Sequence, residues 1–320
     1  MGKQIREHGL SEKPFVSDLL DGVLKPLLQR VQSDTSLDME IRCEYLNVYY
    51  RGGNIIRVEN NGRRYTAFFD RKYADGQLCL PSERITTVSE TQTWLDQIPV
   101  LKDKMDLWFG AHPKDERAAQ QLVVHENNVS PWAGGTDYFI VDIEYDNHIG
   151  ARFDLVALRW DSDATARKLQ KHYLPKLTAI EMKTGDGALK GKAGLLEHYQ
   201  QWENFFASPG QLDAFKREML GVFKQKRELG LIPALSNNPN EVVKVADDVD
   251  VIFLLANHDP ASGKLIAAVD GILEKQKIKP PQFNIRFATA TFMGFGLYSQ
   301  NILSLDDFRK QLDRIATKTA

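Results

Sequence analysis

The stretch LTAIEMKTG, residues 177–185, sets Glu181 and Lys183 inside a run that is otherwise apolar or small. Its composition predicts a strand over Leu177 to Lys183. In a strand, residues two apart share a face at about 6.6 Å, so Glu181 and Lys183 project together while Ile180 and Met182 point the other way. RFDLVALRW, residues 152–160, sets Asp154 among Phe153, Leu155 and Val156 in the same manner. Three charges thus converge on apolar neighbouring strands, and burying them unpartnered costs several kcal/mol. A divalent cation would compensate. Asp154, Glu181 and the Met182 carbonyl are hard oxygen donors of the kind Mg²⁺ takes, with positions left for water and phosphate oxygens. Lys183 beside it would orient or deprotonate an attacking water and offset charge on phosphorus. The competing reading is a cross-strand ion pair of Asp154 with Lys183, with Glu181 at an exposed edge.

Working outward, Tyr138 to Tyr145 and Arg152 to Trp160 read as strands joined by the hairpin signal Asp146-Asn147-His148-Ile149-Gly150. Asp142 and Glu144 alternate onto one strand face, read as exposed. Lys114 to Asn127, Leu195 to Phe206, Gln211 to Leu229 and Leu265 to Lys277 read as helices, and Asp250 to Ala256 and Ile285 to Phe292 as strands; Ser304 caps a last helix. The stretch Asp163 to Lys171 reads as an insertion. This order predicts an α/β layered core. Before it, Phe15 to Leu28 reads as one helix, Tyr45 to Tyr50, Ile55 to Glu59 and Tyr65 to Phe69 as an antiparallel meander, and Glu90 to Phe109 as a helix ending at Gly110-Ala111-His112-Pro113. The chain is accordingly divided into an N-terminal α+β module, 1–110, and a second domain, 111–320.

An acid in a second core strand followed by an acid-x-Lys triplet in a third resembles the PD-(D/E)XK nuclease superfamily. Asp154 matches the first acid; Glu181 and Lys183 match the triplet. The resemblance covers roughly residues 111 to 295, and Glu-x-Lys occurs once in the chain, on the expected third strand. It implies a restriction-endonuclease-like core, a central mixed sheet flanked by helices, that cuts nucleic acid, DNA above all. It also implies Mg²⁺ or Mn²⁺ and in-line attack by water leaving a 5′-phosphate, in a setting such as restriction, repair or phage defence. Family members often add a Glu from the first core helix as a metal ligand; Glu116 occupies that helix, with Glu126 as its competitor. The Gln-x-x-x-Tyr that many carry after the triplet has its nearest counterparts in Gln201 with Phe205 and Gln200 with Asn204.

Forty-one Lys and Arg against 43 Asp and Glu leave a net charge of −2, so an anion-binding surface must be local. Gly185 to Lys192 imitates a phosphate loop, but three residues separate Gly187 from Gly191 and five separate Gly185 from Gly191, which does not fit an NTP-binding loop. Lys190 and Lys192 there suit a loop closing over a phosphate backbone. In the N-terminal module, Arg57, Arg63 and Arg64 belong to a basic stretch interleaved with Tyr49, Tyr50 and Tyr65; this either grips nucleic acid or is a solvated strand face. The module is otherwise available for a partner protein or self-association. His125 and His198 read as surface or packing residues. Two cysteines and no long apolar run point to a cytoplasmic chain without a membrane span. The rival to an enzyme is a non-catalytic nucleic-acid-binding or assembly protein keeping the fold around a structural ion pair.

Overall fold

In the computed structural model, residues 7–62, 64–74, 78–146, 152–163, 166–167, 173–191, 194–208, 210–259, 261–290 and 294–319 are described. An antiparallel meander comes first, in the order β1 (Leu37–Ile41), β2 (Tyr45–Tyr50), β3 (Gly53–Asn60), β4 (Tyr65–Phe68), β5 (Arg84–Ile85). The turn between β2 and β3 is tight because Arg51 and Gly52 take left-handed backbone, φ 49° and 74°. Gly52 also lies against Arg117: a Cβ there would stand 2.5 Å from the Arg117 backbone. β1 has no counterpart in the strands expected from sequence. It alternates Leu37, Met39 and Ile41 with Asp38, Glu40 and Arg42, and both sets are buried.

The single helix expected over Phe15 to Leu28 is two, α1 (Ser17–Asp21) and α2 (Lys25–Ser33). They part at Gly22, where any Cβ would meet Asp18 Oδ1 at 2.0 Å. α3 (Val88–Ala111) starts on a capping box in which Thr87 and Glu90 satisfy each other's backbone N–H groups. It buries Trp94, Ile98, Leu101 and Met105 in the core it shares with the meander. α4 (Asp115–Val124) follows at once, so the expected boundary at 110/111 falls at the end of α3.

The second sheet is mixed, in the order β11-β10-β9-β8-β7-β6. β6 (Tyr138–Asp146), β7 (Arg152–Arg159) and β8 (Lys176–Thr184) are antiparallel neighbours. β9 (Asp250–Ala256) and β10 (Asn284–Ala290) then run parallel to β8, and β11 (Leu303–Ser304) closes the edge. Parallel neighbours need crossovers. α5 (Leu195–Phe206) and α6 (Gln211–Glu228) supply the first, and α7 (Gly263–Ile278) the second; α8 (Leu305–Thr319) ends the chain, its Asp307 N–H capped by the Ser304 hydroxyl. β9 is buried at every position, which is why its sequence is a continuous apolar run. The α/β class read from the sequence is therefore the class of the fold.

One face of the second sheet shares a continuous apolar cluster with the meander, running from Phe15 and Ile98 to Phe153, Trp202 and Phe253. Trp202 lies on Phe253 with ring centroids 4.8 Å apart; truncating it to Ala would cost about 3–5 kcal/mol. The other face holds Ile140, Leu155, Ile180 and Met182 with Ala119 and Val123 of α4.

Charges are buried where β1 meets β6 and α6. Arg42 pairs with Asp142 and donates to the Ile143 carbonyl; Lys226 Nζ is 2.7 Å from Glu40 Oε1. The His8 N–H and the Tyr145 hydroxyl donate to the two oxygens of Glu218 at 2.7 and 3.0 Å. This corrects the exposed reading of Asp142, which has no exposed surface. Arg42 covers it, and Glu144 leaves the alternation at φ 55°, pairing at the surface with Arg117 at 3.0 Å. Among the described residues no helix is long and apolar enough to cross a membrane.

Candidate active site

β7 and β8 pair from Arg159↔Lys176 to Leu155↔Ile180 and then separate, while β8 continues beside β9 through Thr184↔Ala256. The three charges singled out in the sequence lie at this opening. Asp154 is the first residue of β7 beyond the last pair, and its Oδ2 accepts the Met182 N–H at 2.8 Å. An extended residue turns its N–H and C=O to the same edge, so the Met182 carbonyl faces the same gap. Its side chain goes to the opposite face with Ile180 and Leu155.

Glu181 and Lys183 share a face, as their spacing requires, and both are almost fully buried. Lys183 Nζ donates to Glu181 Oε1 at 2.6 Å. The same oxygen lies 2.9 Å from His198 Nε2. Asp154 is half-buried, and its carboxyl is pushed well above the usual carboxylate range by burial and then by the charge of Glu181, against the opposing pull of Lys183. Lys183 moves up as well. Burial alone would lower it, but Glu181, Asp154 and Glu116 around it outweigh that cost, so it stays an ammonium at neutral pH.

Glu116, in the first turn of α4, is half-buried and its carboxyl is raised, first by burial and then by Glu181 and Glu144, with Lys183 opposing. It belongs to the same electrostatic neighbourhood. Glu126 does not enter it; it pairs with His125 at 3.1 Å in the turn beyond α4.

Of the other residues assigned to nucleic acid, Lys190, Gln201 and Arg64 are exposed. Gln201 is on the exposed side of α5, and its neighbours Trp202 and Phe205 are core residues. Lys190 is exposed on the loop before α5; Lys192 and Arg63 fall outside the described residues, as does most of Asp163 to Lys171. Arg64 is exposed, whereas Arg57 pairs with Glu59 and lies over the Tyr45 ring, 4.0 Å from its centroid. The tyrosines offered for base stacking are committed to the fold. Tyr49 and Tyr65 are buried, Tyr65 donates to Asp18 at 2.7 Å, and Tyr50 donates to Asp106 at 2.9 Å.

His198 is the member of the cluster that the sequence reading sets aside as packing. A signal for it exists. Trp202 lies one turn further along α5 and packs on Phe253, the β9 partner of Glu181. Residues four apart share a helix face, so His198 is carried to the same sheet position.

The donor chemistry fits a hard divalent cation in kind: two carboxylates with a third behind them and one carbonyl, in a place where carboxylates raise one another's proton affinity. Among the described residues, no group of three or more His, Cys, Asp or Glu side chains is already gathered closely enough to hold a metal. The chain matches no protein-family model, no curated protein and no solved structure.

Proposed function

We propose that the chain is a metal-dependent nuclease, with the mixed sheet acting as a restriction-endonuclease-like core that hydrolyses phosphodiester bonds, DNA being its substrate. The observation that carries this reading is the meeting of Asp154 with the Glu181–Lys183 pair where β7 and β8 part. Asp154, Glu181 and the Met182 carbonyl would hold Mg²⁺ or Mn²⁺, with Glu116 the further carboxylate. The cation supplies Lewis acidity toward a phosphate and lowers the pKa of a nearby water. Met182 N–H fixes the Asp154 carboxylate, and Lys183 with His198 fixes one oxygen of Glu181. Lys183, held as a cation, would offset negative charge developing on phosphorus. Among the described residues assigned to nucleic acid, the exposed Lys190 and Arg64 would meet the phosphate backbone.

The short Lys183–Glu181 contact also favours a second reading, a structural ion pair in a non-catalytic nucleic-acid-binding or assembly protein; the pair is Lys183 with a buried Glu181, not Asp154 with Lys183 beside an exposed Glu181 as the sequence suggested. Linear and circular DNA, single- and double-stranded, incubated with the pure protein with and without Mg²⁺ separates the two. Mg²⁺-dependent cleavage lost in Asp154→Asn is the expected result; no cleavage of any substrate and no divalent binding would leave the ion pair as the function of these residues.

A further inference from the structure

A cavity of about 270 Å³ opens between β1, the end of α4 and the end of α6. Its apolar wall includes Leu37, Val124 and Leu231, and its polar wall includes Asp38, Glu40 and Lys226. Glu40 has no exposed surface. Lys226 takes its Oε1 at 2.7 Å, and Oε2 has no hydrogen-bond partner among the described residues. A buried carboxylate oxygen left in that condition is unfavourable, and a donor entering the cavity would recover the lost hydrogen bond.

Charge balance says what kind of donor. Fully ionised, Asp38 and Glu40 would outweigh Lys226 by one negative charge, and Arg42, just beyond β1, is already engaged by Asp142. Burial lifts the Glu40 carboxyl to about 8 despite Lys226 and Arg42, with Asp142 adding to the rise. It lifts Asp38 to about 6 against Lys226, Gln121 and His125. Glu40 therefore holds its proton at neutral pH, and a cation entering the cavity would favour its ionised form. A metal ion suits the place poorly, since the Lys226 ammonium stands among the donors and most of the wall is apolar.

We propose that this cavity binds a small organic monocation, an amine or amidinium with a compact apolar body. At about 30 Å³ for each water-sized group, the volume takes roughly nine heavy atoms. The charged head meets Glu40 Oε2 and Asp38, and the body lies against Leu37, Val124 and Leu231. The proposal stands independently of the nuclease reading, because none of its residues belongs to the Asp154 site.

Benzamidinium, with neutral benzamide and anionic benzoate as its isosteres, tests it on the full chain by ligand-detected NMR titration. Saturable binding of benzamidinium at least tenfold tighter than either isostere is expected. Glu40→Gln should weaken it by tenfold or more. Thr35→Phe, at the exposed rim, should block entry without touching the buried pair, and decides the matter if Glu40→Gln does not fold. Equal affinity for benzamide would reduce the cavity to an apolar void. Absence of saturable binding, or unchanged binding in every variant that folds, would overturn the proposal.

Discussion

Asp142 and Asp154 sit on adjacent strands, β6 and β7, and burial pushes both carboxyls upward, yet their proton affinities end on opposite sides of the usual value. Asp142 is held well below it because Arg42 lies against it, with His8 and Lys226 adding to the pull. Asp154 is held well above it by burial first and then by the charge of another carboxylate, Glu181, which outweighs Lys183. The difference is one of partners and not of residue type or depth. A carboxylate given a dedicated guanidinium belongs to the fold; one set against other carboxylates beside a single ammonium stores unfavourable charge that a cation would relieve.

The strongest way to break this contrast is to remove Arg42. Arg42→Met leaves Asp142 buried without its partner, and urea denaturation should show a loss of about 3–5 kcal/mol. Asp154→Asn takes away a repulsion instead, so its stability should stay level or rise by up to about 1 kcal/mol. A loss at Asp154 as large as that at Arg42 would mean that Asp154 is a structural anchor too, and the contrast would fail.

Activity sharpens the same comparison. In a Mg²⁺-dependent nicking assay, Asp154→Asn and Lys183→Ala should each slow cleavage by about 10²–10³-fold. Calorimetric titration with Mn²⁺ should then separate them: binding weakens without the Asp154 carboxylate and is largely kept without Lys183. A structural ion pair predicts another pattern, in which Lys183→Ala strands the buried Glu181 and loses about 3–5 kcal/mol, Asp154→Asn loses none, and the parent protein binds no divalent cation. A smaller effect is expected one position out. Glu116→Gln should slow cleavage by about three- to tenfold and Glu126→Gln should leave it unchanged, since Glu126 is paired with His125.

Much of this was open to reading in the sequence because it depends on local pattern. The strands carrying Asp154, Glu181 and Lys183 announce themselves by apolar runs broken by single charges, and β9 by its unbroken apolar run. β1 does not. Residues 37–42 alternate apolar with charged side chains as a surface strand would, and only Asp142, 100 residues from Arg42, and Lys226, 186 residues from Glu40, make the charged side an interior one. Asp142 is misread for the same reason. His198 was within reach, four residues before a tryptophan bound for the core, but a lone histidine on a helix carries too little pattern to be chosen without the sheet beneath it.

Asp34 offers the mildest test, because it has cationic partners like Asp142 but keeps part of its surface in water. Burial raises its carboxyl, but hydrogen bonds from Lys102 and Ser36 overcome that and bring it down to about 2. Lys102 Nζ lies 2.7 Å and Arg30 Nη2 3.0 Å from Asp34 Oδ2, tying α2 to α3. A carboxyl lowered by folding binds protons more readily in the unfolded chain. Its stabilisation is therefore whole above the unfolded value of about 3.9 and disappears as pH falls toward 2. Solvent screening keeps the contribution to about 1 kcal/mol. Urea melts of the parent and of Asp34→Asn should differ by that amount at pH 5 and converge by pH 2, and 0.5 M NaCl should shrink the gap at pH 5. A gap that persists at pH 2 would assign the effect to the neutral hydrogen bonds with Ser36, leaving charge pairing as a property of the buried Asp142 alone.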